Sequence, residues 1–442
     1  MFSWLKDIAR WSWFYYTYKK WKAQLAVQIY GNPSKDFFCI GVTGTNGKTT
    51  TTFMIHHIFN SLVDKSFLLG TNEIKYGSDS ELNTSKMTSP DPMIIQSLLA
   101  KAKTVWCKIA IMEVASHGID QHRYDGIDFD MAILTNITEE HLDYHKTMEA
   151  YSNCKKKLFT SVLSNTKPNK LAILPKDDKY GKKWIEELWF ERMTTYSILG
   201  WGTIKADNIQ YFAEHTSFDI VSMGQSYPIT IPMVGIHNVY NTLAAVSAGL
   251  IVGLDLNAII ATFATFIPPL GRMQRIIHNN VQYYIDFAHT PDGLDKTLSF
   301  LSSLKQQQGS DLPAGQTGRL ILLTGAMGQR DRYKRPEMWK IADRYADLIV
   351  IADEDPWEEN RLQIIAEVRE GIKRQLGDRL YVIPDRSLAI KFITEIVEPG
   401  DIVMLAGKWH ETVMCIPGGK IPRDEKEILE SYLFKHTPQE SI

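Results

Sequence analysis

The segment that most constrains the fold is a glycine-rich turn between an apolar strand and a helix. Phe37 to Val42 is patterned as a buried strand, and Thr50 to Leu62 is patterned as a helix. Glycines let backbone N–H groups close on phosphate oxygens, and the helix N-terminus adds a favourable dipole. The turn therefore predicts a nucleotide-binding loop, although Val42 stands where the strict P-loop pattern has its first glycine. The loop residues are Gly44, Thr45, Asn46, Gly47, Lys48, Thr49 and Thr50.

Within this loop, two side chains have chemical roles that follow from the pattern. Lys48 would reach the β- and γ-phosphates, and the Thr49 hydroxyl would ligate Mg²⁺. The loop alone does not separate a ligase from a GTPase or a motor protein.

Apolar strands and helical patterns alternate along the rest of the chain, which predicts an α/β protein with a mostly parallel sheet. A second unit of the same kind begins after Pro268-Pro269-Leu270-Gly271. We predict a P-loop central ATPase domain at 38–270 and a Rossmann-like α/β domain at 271–442, and we interpret 302–318 as a loop. The predicted strands after Val42 are Ile109–Val114, Met131–Thr135, Tyr283–Phe287, Leu320–Thr324, Leu348–Ala352, Leu380–Ile383 and Ile402–Ala406.

Charge and cysteine content exclude several function classes. The net charge is −2, so no global basic field attracts nucleic acid without sequence preference, and we predict no nucleic-acid partner. The four cysteines form no Cys-x-x-Cys pair, which argues against a zinc ribbon or a redox dithiol and fits a reducing cytoplasm. The longest uncharged stretch, 220–254, is interrupted by Pro228 and Pro232, so no transmembrane helix is predicted.

The first 37 residues are predicted to form an aromatic amphipathic helix. Residues 1–30 hold ten of the 48 aromatic residues and carry a net charge of +4. One interpretation is a helix packed on the domain behind it; the other is a helix on an anionic membrane surface, since Trp, Tyr and Lys suit that interface. The residues predicted to share one helix face are Trp4, Ile8, Trp11, Tyr15 and Tyr18.

Three polar segments follow predicted strands of the central domain. They are Glu113-Val114-Ala115-Ser116-His117-Gly118, the run from Asn136 to His145, and Lys155-Lys156-Lys157-Leu158-Phe159. Open α/β sheets bind ligands beyond the carboxyl ends of their strands. A carboxylate, several histidines and a lysine gathered there exceed what solubility requires, so we predict a catalytic site at this edge.

Gly-Thr-Asn-Gly-Lys-Thr-Thr, Glu-Val-Ala-Ser-His-Gly and His-Leu-Asp-Tyr-His, in this order, resemble the motifs of the Mur ligases, and the MurE branch above all. The resemblance covers roughly residues 38–430. It implies an ATP-dependent ligase of peptidoglycan precursor synthesis, which joins the D-Glu carboxylate of a muramoyl dipeptide to an amino acid through an acyl phosphate, giving ADP and phosphate.

The resemblance also implies roles for individual residues. Lys48, Glu113, His141 and Lys155 would be catalytic, with ATP and Mg²⁺ as cofactors. The metal would be held by Thr49, Glu113, His141 and a carbamylated Lys155. Beyond the loop, the ATP contacts would be Asn238, Asn241, Arg272, Asp286 and His289.

For the two substrates, the resemblance assigns further residues. The muramoyl peptide would contact Thr88, Ser89, Ser116, Gln121 and Arg123. The amino acid would contact Arg330, Asp355, Gly407 and Glu411. Trp357 stands where diaminopimelate-adding members carry an arginine, so we expect a diamine such as lysine or ornithine, with Asp355 and Glu411 holding the distal ammonium.

Several alternatives remain open at this point. A typical MurE carries a uridine-nucleotide domain before the P-loop strand, and the 37 residues here are too few for it. A lipid-linked muramoyl peptide, a non-murein wall peptide and a folylpolyglutamate synthase reaction are alternative functions, as is a non-catalytic P-loop ATP-binding module. The expected location is the cytoplasm, with membrane contact at the inner face through residues 1–30 as a further hypothesis; the sequence makes no prediction of oligomeric state.

Overall fold

Two α/β units, each built on its own sheet, make up the computed structural model. It describes residues 13–85, 87–308, 318–329, 332, 334–407 and 413–434. The larger sheet has eleven strands in the order β11-β10-β9-β8-β7-β6-β1-β5-β2-β3-β4. Its strands are β1 Phe38–Thr43, β2 Ser66–Leu69, β3 Glu73–Tyr76, β4 Asp79–Leu82, β5 Ile109–Glu113, β6 Met131–Leu134, β7 Leu171–Pro175, β8 Arg192–Ser197, β9 Ile204–Tyr211, β10 Thr216–Ser222 and β11 Gln225–Ile231.

The smaller unit has a six-stranded sheet in the order β12-β13-β17-β14-β15-β16, followed by the hairpin β18-β19. These strands are β12 Gln274–His278, β13 Val281–Asp286, β14 Leu320–Thr324, β15 Leu348–Ile351, β16 Leu380–Val382, β17 Ile402–Ala406, β18 Val413–Ile416 and β19 Gly419–Pro422.

Helices cover both sheets. In chain order they are α1 Trp13–Tyr30, α2 Lys48–Leu62, α3 Pro92–Thr104, α4 Ser116–Asp120, α5 Leu142–His145, α6 Met148–Ser164, α7 Lys179–Glu187, α8 Ile236–Ile251, α9 Leu256–Thr262, α10 Pro291–Gln308, α11 Lys334–Tyr345, α12 Arg361–Arg369, α13 Arg386–Ile396 and α14 Glu425–Leu433. None of these helices is both long and apolar enough to cross a membrane.

The centre of the large sheet is parallel because its strands are joined by helical crossovers. β1 pairs in parallel with β5 on one side and with β6 on the other. These strands are buried along almost their whole length, as expected for a sheet covered on both faces. Consequently the loops after β1, β5 and β6 emerge at one edge of the sheet, side by side. The prediction of a mostly parallel α/β fold is confirmed.

One sequence-based prediction about the second unit is wrong. Composition predicts a loop at residues 302–318, but α10 continues to Gln308. Leu298, Leu301 and Leu304 continue a buried stripe at helical spacing, and this apolar stripe outweighs the Ser- and Gln-rich composition. Residues 309–317 lie outside the described residues.

Helix α1 packs against the central unit and also presents an exposed face. Ala23 and Ala26 are fully buried, whereas Phe14, Tyr18 and Trp21 are more than half exposed. The predicted stripe is therefore only partly tested: Trp4, Ile8 and Trp11 lie outside the described residues. In the described part of the helix, the buried side is formed by the small residues rather than by Tyr18.

Candidate active site

The glycine-rich loop connects β1 to α2 and is held in shape by backbone constraints. Gly44 has φ 149°, and a Cβ there would lie 1.8 Å from Thr135 Oγ1. Gly47 has φ 85°, and a Cβ would lie 2.2 Å from Asn241 Oδ1. Larger residues at either position would require a different backbone path, so these glycines are required by the geometry of the turn.

Two lysines converge on the same carbonyl group of this loop. Lys48 Nζ donates to Gly44 O at 2.9 Å and to Thr45 O at 2.8 Å. Lys155 Nζ, on α6, donates to Gly44 O at 2.7 Å and is 4.6 Å from the Tyr151 ring centre. Burial lowers the pKa of both lysines, and the Lys48 charge further lowers that of Lys155. Two ammonium groups around neutral carbonyls make a strongly anion-attracting site.

Glu113 ends β5 and faces the start of α2. Its carboxylate accepts hydrogen bonds from Thr49 Oγ1 at 3.0 Å, from Thr71 N at 2.8 Å and from Thr71 Oγ1 at 3.0 Å. The side chain is 1% exposed. A buried carboxylate in contact with a P-loop threonine hydroxyl is an oxygen donor pair of the kind that Mg²⁺ prefers.

The structure places His141 in the loop after β6, with a positive φ of 58°. Its ring is perpendicular to that of His117 at 4.6 Å, and its Nε2 is 3.5 Å from Glu140 Oε2. Among the described residues, no three His, Cys, Asp or Glu side chains gather as a metal cluster. Mg²⁺ commonly takes one or two protein carboxylates and completes its shell with phosphates and water, so Glu113 and Thr49 fit such an ion without a protein cage.

A cavity of about 260 Å³ opens between the two units beside the loop. Asn238 and Asn241, on α8, line it, and Asn241 Nδ2 donates to Asn238 Oδ1 at 3.1 Å. Arg272 and Asp286 line the same cavity from the second unit. Four of the predicted ATP residues, Asn238, Asn241, Arg272 and Asp286, are thus brought to one space, whereas His289 lines a second cavity.

Residues from the second unit contact the loop directly. Asn46 Nδ2 donates to Thr290 Oγ1 at 3.2 Å and to Asp292 Oδ2 at 3.0 Å. His289 Nε2 is 3.2 Å from Glu140 Oε1. Arg272 lies over the Phe287 ring at 5.4 Å and reaches Thr49 Oγ1 at 3.5 Å. The units therefore meet on the phosphate loop itself.

The predicted acceptor residues also form a continuous group. Ser89 Oγ accepts from Ala115 N at 3.1 Å and from Tyr124 OH at 2.8 Å. Arg123 donates to Ser89 O and, at 2.7 Å, to Gln121 Oε1. Thr88 and Ser116 border this group: Thr71 Oγ1 donates to Thr88 Oγ1 at 3.0 Å, and Ser116 Oγ lies 3.0 Å from His145 Nε2.

The predicted amino-acid residues are less completely described. Arg330 and Glu411 lie outside the described residues. Asp355 Oδ1 accepts from Cys415 N at 2.8 Å, so this carboxylate tethers the β18-β19 hairpin. Gly407 has φ 89°, and a Cβ there would be 2.6 Å from Glu354 Oε2.

Glu354, which sequence reasoning did not single out, is the acid that lines a small second cavity. It is 2% exposed. Sequence reasoning also missed Thr71, Asp292 and buried Arg335. Asp292 had a signal, since it lies three residues after His289 in a short run that also contains Asp286, and both of these are predicted ATP contacts. The cavity is lined by His289, Gly325, Ala326, Met327, Arg335, Met338 and Glu354.

Comparison with known proteins gives two family matches. Residues 42–249 match the Mur ligase middle domain, and residues 271–409 match the Mur ligase, glutamate ligase domain.

Curated relatives extend this similarity over most of the chain. The chain is 36% identical to the UDP-N-acetylmuramoyl-L-alanyl-D-glutamate–2,6-diaminopimelate ligase of Synechococcus elongatus, over 91% of this chain and 78% of the relative. It is 35% identical to the enzyme of the same name from Bacillus velezensis, over 91% of this chain and 80% of the relative.

Solved structures agree with the fold. A UDP-N-acetylmuramoyl-L-alanyl-D-glutamate–2,6-diaminopimelate ligase structure matches with a TM-score of 0.61 at 30% identity, over 94% of this chain and 81% of that one. The Mycobacterium tuberculosis folylpolyglutamate synthase complexed with ADP matches with a TM-score of 0.69 at 16% identity, over 88% of this chain and 91% of that one, which shows the fold alone.

Proposed function

The chain belongs to the Mur ligase family and is an ATP-dependent amide ligase of the MurE type, and we propose that it adds an amino acid to the D-Glu carboxylate of a muramoyl-L-alanyl-D-glutamate acceptor. The observation that carries the proposal is the convergence of Lys48, Lys155, Glu113 and the acceptor group around Ser89 on one sheet edge. The names of the relatives support the acceptor.

The chemistry follows from what a carboxylate needs to become an amide. A carboxylate oxygen attacks the γ-phosphorus of ATP, the bond from that phosphorus to the β,γ-bridging oxygen breaks, and ADP leaves. The amine of the incoming amino acid, which has lost a proton, then attacks the acyl carbon, and the C–O bond breaks to release phosphate. Lys48 neutralises charge on the transferring group, and water is excluded where the two units meet.

Mg²⁺ is the proposed second cofactor, with Thr49, Glu113, His141 and a carbamylated Lys155 as its protein-side residues. When bound, the ion would neutralise phosphate charge and polarise the γ-phosphoryl group. The contact between Thr49 and Glu113 supports this assignment. Carbamylation is supported by the burial of Lys155, since a neutral amine is the form that reacts with carbon dioxide.

For the incoming amino acid we propose a diamine, lysine or ornithine, with Arg330 binding its carboxylate and Gly407 lining the subsite. Asp355 and Glu411 remain the proposed partners of the distal ammonium. Trp357 cannot form the bidentate pair with a second carboxylate that an arginine forms.

The proposed location is the cytoplasm, in contact with the inner face of the membrane through residues 1–30. In the described part of this segment, α1 has three lysines and no acidic residue, and its outer face exposes Phe14, Tyr18, Trp21 and Ile29. The wild type should co-sediment with phosphatidylglycerol vesicles. The variant that combines Phe14→Ser, Tyr18→Ser and Trp21→Ser should stay in the supernatant. Trp189→Ser is the matched exposed control. Equal sedimentation of both variants, or self-association instead of vesicle binding, would contradict the proposal.

The reaction is tested by phosphate release from ATP and Mg²⁺ with UDP-muramoyl-L-Ala-D-Glu and a panel of lysine, ornithine and diaminopimelate. We expect phosphate release only when the acceptor is present together with lysine or ornithine. Diaminopimelate turnover without lysine or ornithine turnover would contradict the choice of amino acid. Release with a folate acceptor alone would favour the folylpolyglutamate alternative.

Matched variants test the lysine assignment. Lys155→Ala should reduce kcat about 100- to 1000-fold, because it removes the carbamylated side chain proposed to hold the Mg²⁺ that stabilises transition-state charge. Lys156→Ala should leave kcat unchanged, because Lys156 pairs with Glu187 at the surface. Equal losses in both variants would argue for a solvated basic face instead.

A further inference from the structure

One face of helix α1 lies against the group of predicted acceptor residues around Ser89. Tyr16, Lys19 and Lys22 follow i, i+3, i+6 spacing, so their side chains share that face. Tyr16 OH donates to Asp120 Oδ2 at 3.2 Å, and Lys22 Nζ is 2.7 Å from Asp91 Oδ2. Lys19, between them, therefore faces the interval that separates Asp91 from Asp120.

That interval contains the residues proposed to bind the muramoyl peptide. Ser89 and Arg123 are joined there by a hydrogen bond from the guanidinium to the Ser89 carbonyl. The other acceptors of Arg123 are the amide oxygen of Gln121, at 2.7 Å, and the thioether sulfur of Met87, at 3.9 Å. All three acceptors are neutral, so the charge of Arg123 is not compensated by these contacts.

The nearby acids are engaged elsewhere. Asp91 pairs with Lys22 and also caps α3 by accepting from Met93 N at 3.1 Å. Asp120 accepts from two phenol groups, Tyr16 and, at 2.7 Å, Tyr144. Within the described part of the chain, no ion pair joins Lys19 or Arg123 to a carboxylate.

Lys19 therefore lies on the helix face that is turned toward Ser89 and Arg123, and both Lys19 and Arg123 are positively charged. Burial and the Arg123 charge both lower the pKa of Lys19, and Asp91 opposes them. The Lys19 ammonium lies 5.3 Å from the centre of the Tyr15 ring. Two partly buried cations that form no ion pair with a carboxylate among the described residues are stabilised when an anionic group binds to both.

We propose that Lys19 of α1 and Arg123 together form a binding site for an anionic oxygen group of the muramoyl acceptor. This rests on the proposed function and adds a residue from outside the family-matched segments. The anion is either the diphosphate that links the sugar to its carrier or a carboxylate of the peptide. A flexible ammonium and a planar guanidinium can both donate to such oxygens.

The test compares Lys19→Met, Lys19→Arg and the control Lys20→Met, which alters the exposed neighbour on the same helix. Acceptor binding is measured by calorimetry, and steady-state KM and kcat are measured by phosphate release. Lys19→Met should raise the acceptor Kd and KM about tenfold, a typical loss for one charge-assisted contact, with kcat and the KM for ATP unchanged. Lys19→Arg should restore most of the affinity.

Two acceptors distinguish the sources of the anion: UDP-muramoyl-L-Ala-D-Glu and the same muramoyl dipeptide without the diphosphate. A Kd increase for the UDP-linked acceptor alone assigns the diphosphate, and an increase for both assigns a peptide carboxylate. An unchanged Kd for both, or an equal increase in Lys20→Met, overturns the proposal.

The experiment separates failure of the proposed reaction from failure of the proposed anion site. A wild type that binds the acceptor without releasing phosphate would contradict the ligase function, while the Kd comparison would still test Lys19. A wild type that binds neither acceptor would overturn the anion site. Circular dichroism melting of each variant verifies that α1 stays folded.

Discussion

At the scale of single residues, the site is built from charged groups held by neutral partners. Lys155 and Glu113 are each 1% exposed, yet Lys155 donates to a backbone carbonyl, and Glu113 accepts from threonine groups. Burying a charge is costly when its hydrogen-bond partners are neutral, so such groups gain when an oppositely charged ligand arrives. The polar groups of the loop are therefore organised for ATP rather than for mutual neutralisation.

His56 gives a residue-scale prediction about stability. It is buried on α2, with Nδ1 2.8 Å from Ser66 Oγ and Nε2 3.0 Å from Gly77 O, and burial lowers its pKa to about 4. Because the folded pKa lies below the unfolded value of about 6.5, its stabilising contribution is complete above pH 6.5 and is lost as the pH falls toward 4.

We expect the free energy of unfolding to fall by about 1.4 kcal/mol through His56 alone between pH 7.5 and pH 5.5. Urea unfolding at the two pH values measures this for the wild type and for His56→Gln. The variant should lose less stability than the wild type over this interval. An identical decrease in both proteins would show that His56 does not titrate in this way.

At the scale of elements, buried polar contacts fix how helices dock in the second unit. Arg386, which begins α13, lies 2.7 Å from Glu425 Oε1, at the start of α14, and also donates to Ala406 O at 2.7 Å. The two side chains are 0% and 2% exposed. This contact ties both helices to the end of β17, next to Gly407.

The Arg386–Glu425 pair can be tested by a double-mutant cycle. Arg386→Met should destabilise the fold by about 3–5 kcal/mol, because it leaves the Glu425 charge buried without its partner. Combining it with Glu425→Leu should recover much of that loss. Lys391→Met, which removes an exposed pair with Glu395 on α13, should cost less than about 1 kcal/mol. A double variant as unstable as Arg386→Met would contradict this account.

At the scale of the whole molecule, the cavity proposed to hold ATP exists because two units meet. Asn46 contacts Thr290 and Asp292, and Glu140 contacts His289 across the boundary. The cavity is lined from both sides. Binding of ATP and association of the units should therefore be coupled, since each completes the surroundings of the other.

Asp292→Ala tests this coupling. We expect the Kd for ADP to rise about tenfold, because a hydrogen bond to a charged group is lost, and proteolysis of residues 266–273 to accelerate. Asp295→Ala, on the same helix, contacts Arg344 instead and should change neither quantity. Unchanged binding and proteolysis in Asp292→Ala would show that the Asn46 contact does not hold the units together.

Features that depend on local sequence patterns could be predicted without knowledge of the fold. The loop from Gly44 to Thr50, the buried strands and the helix after them follow from glycine freedom, apolar runs and helical spacing within short segments. The order of motifs was enough to place Glu113, His141 and Lys155 near one sheet edge, because parallel strands bring their carboxyl ends together.

Contacts between residues far apart in the chain could not be predicted, because they follow from the packing of the folded chain. Folding places Tyr16 against Asp120, Asp292 at Asn46 and Glu354 in the second cavity. Local composition misled at 302–308, where burial against neighbouring elements keeps α10 helical. Periodicity reports which side of an element is buried, but not which partner buries it; that choice depends on packing of the whole chain.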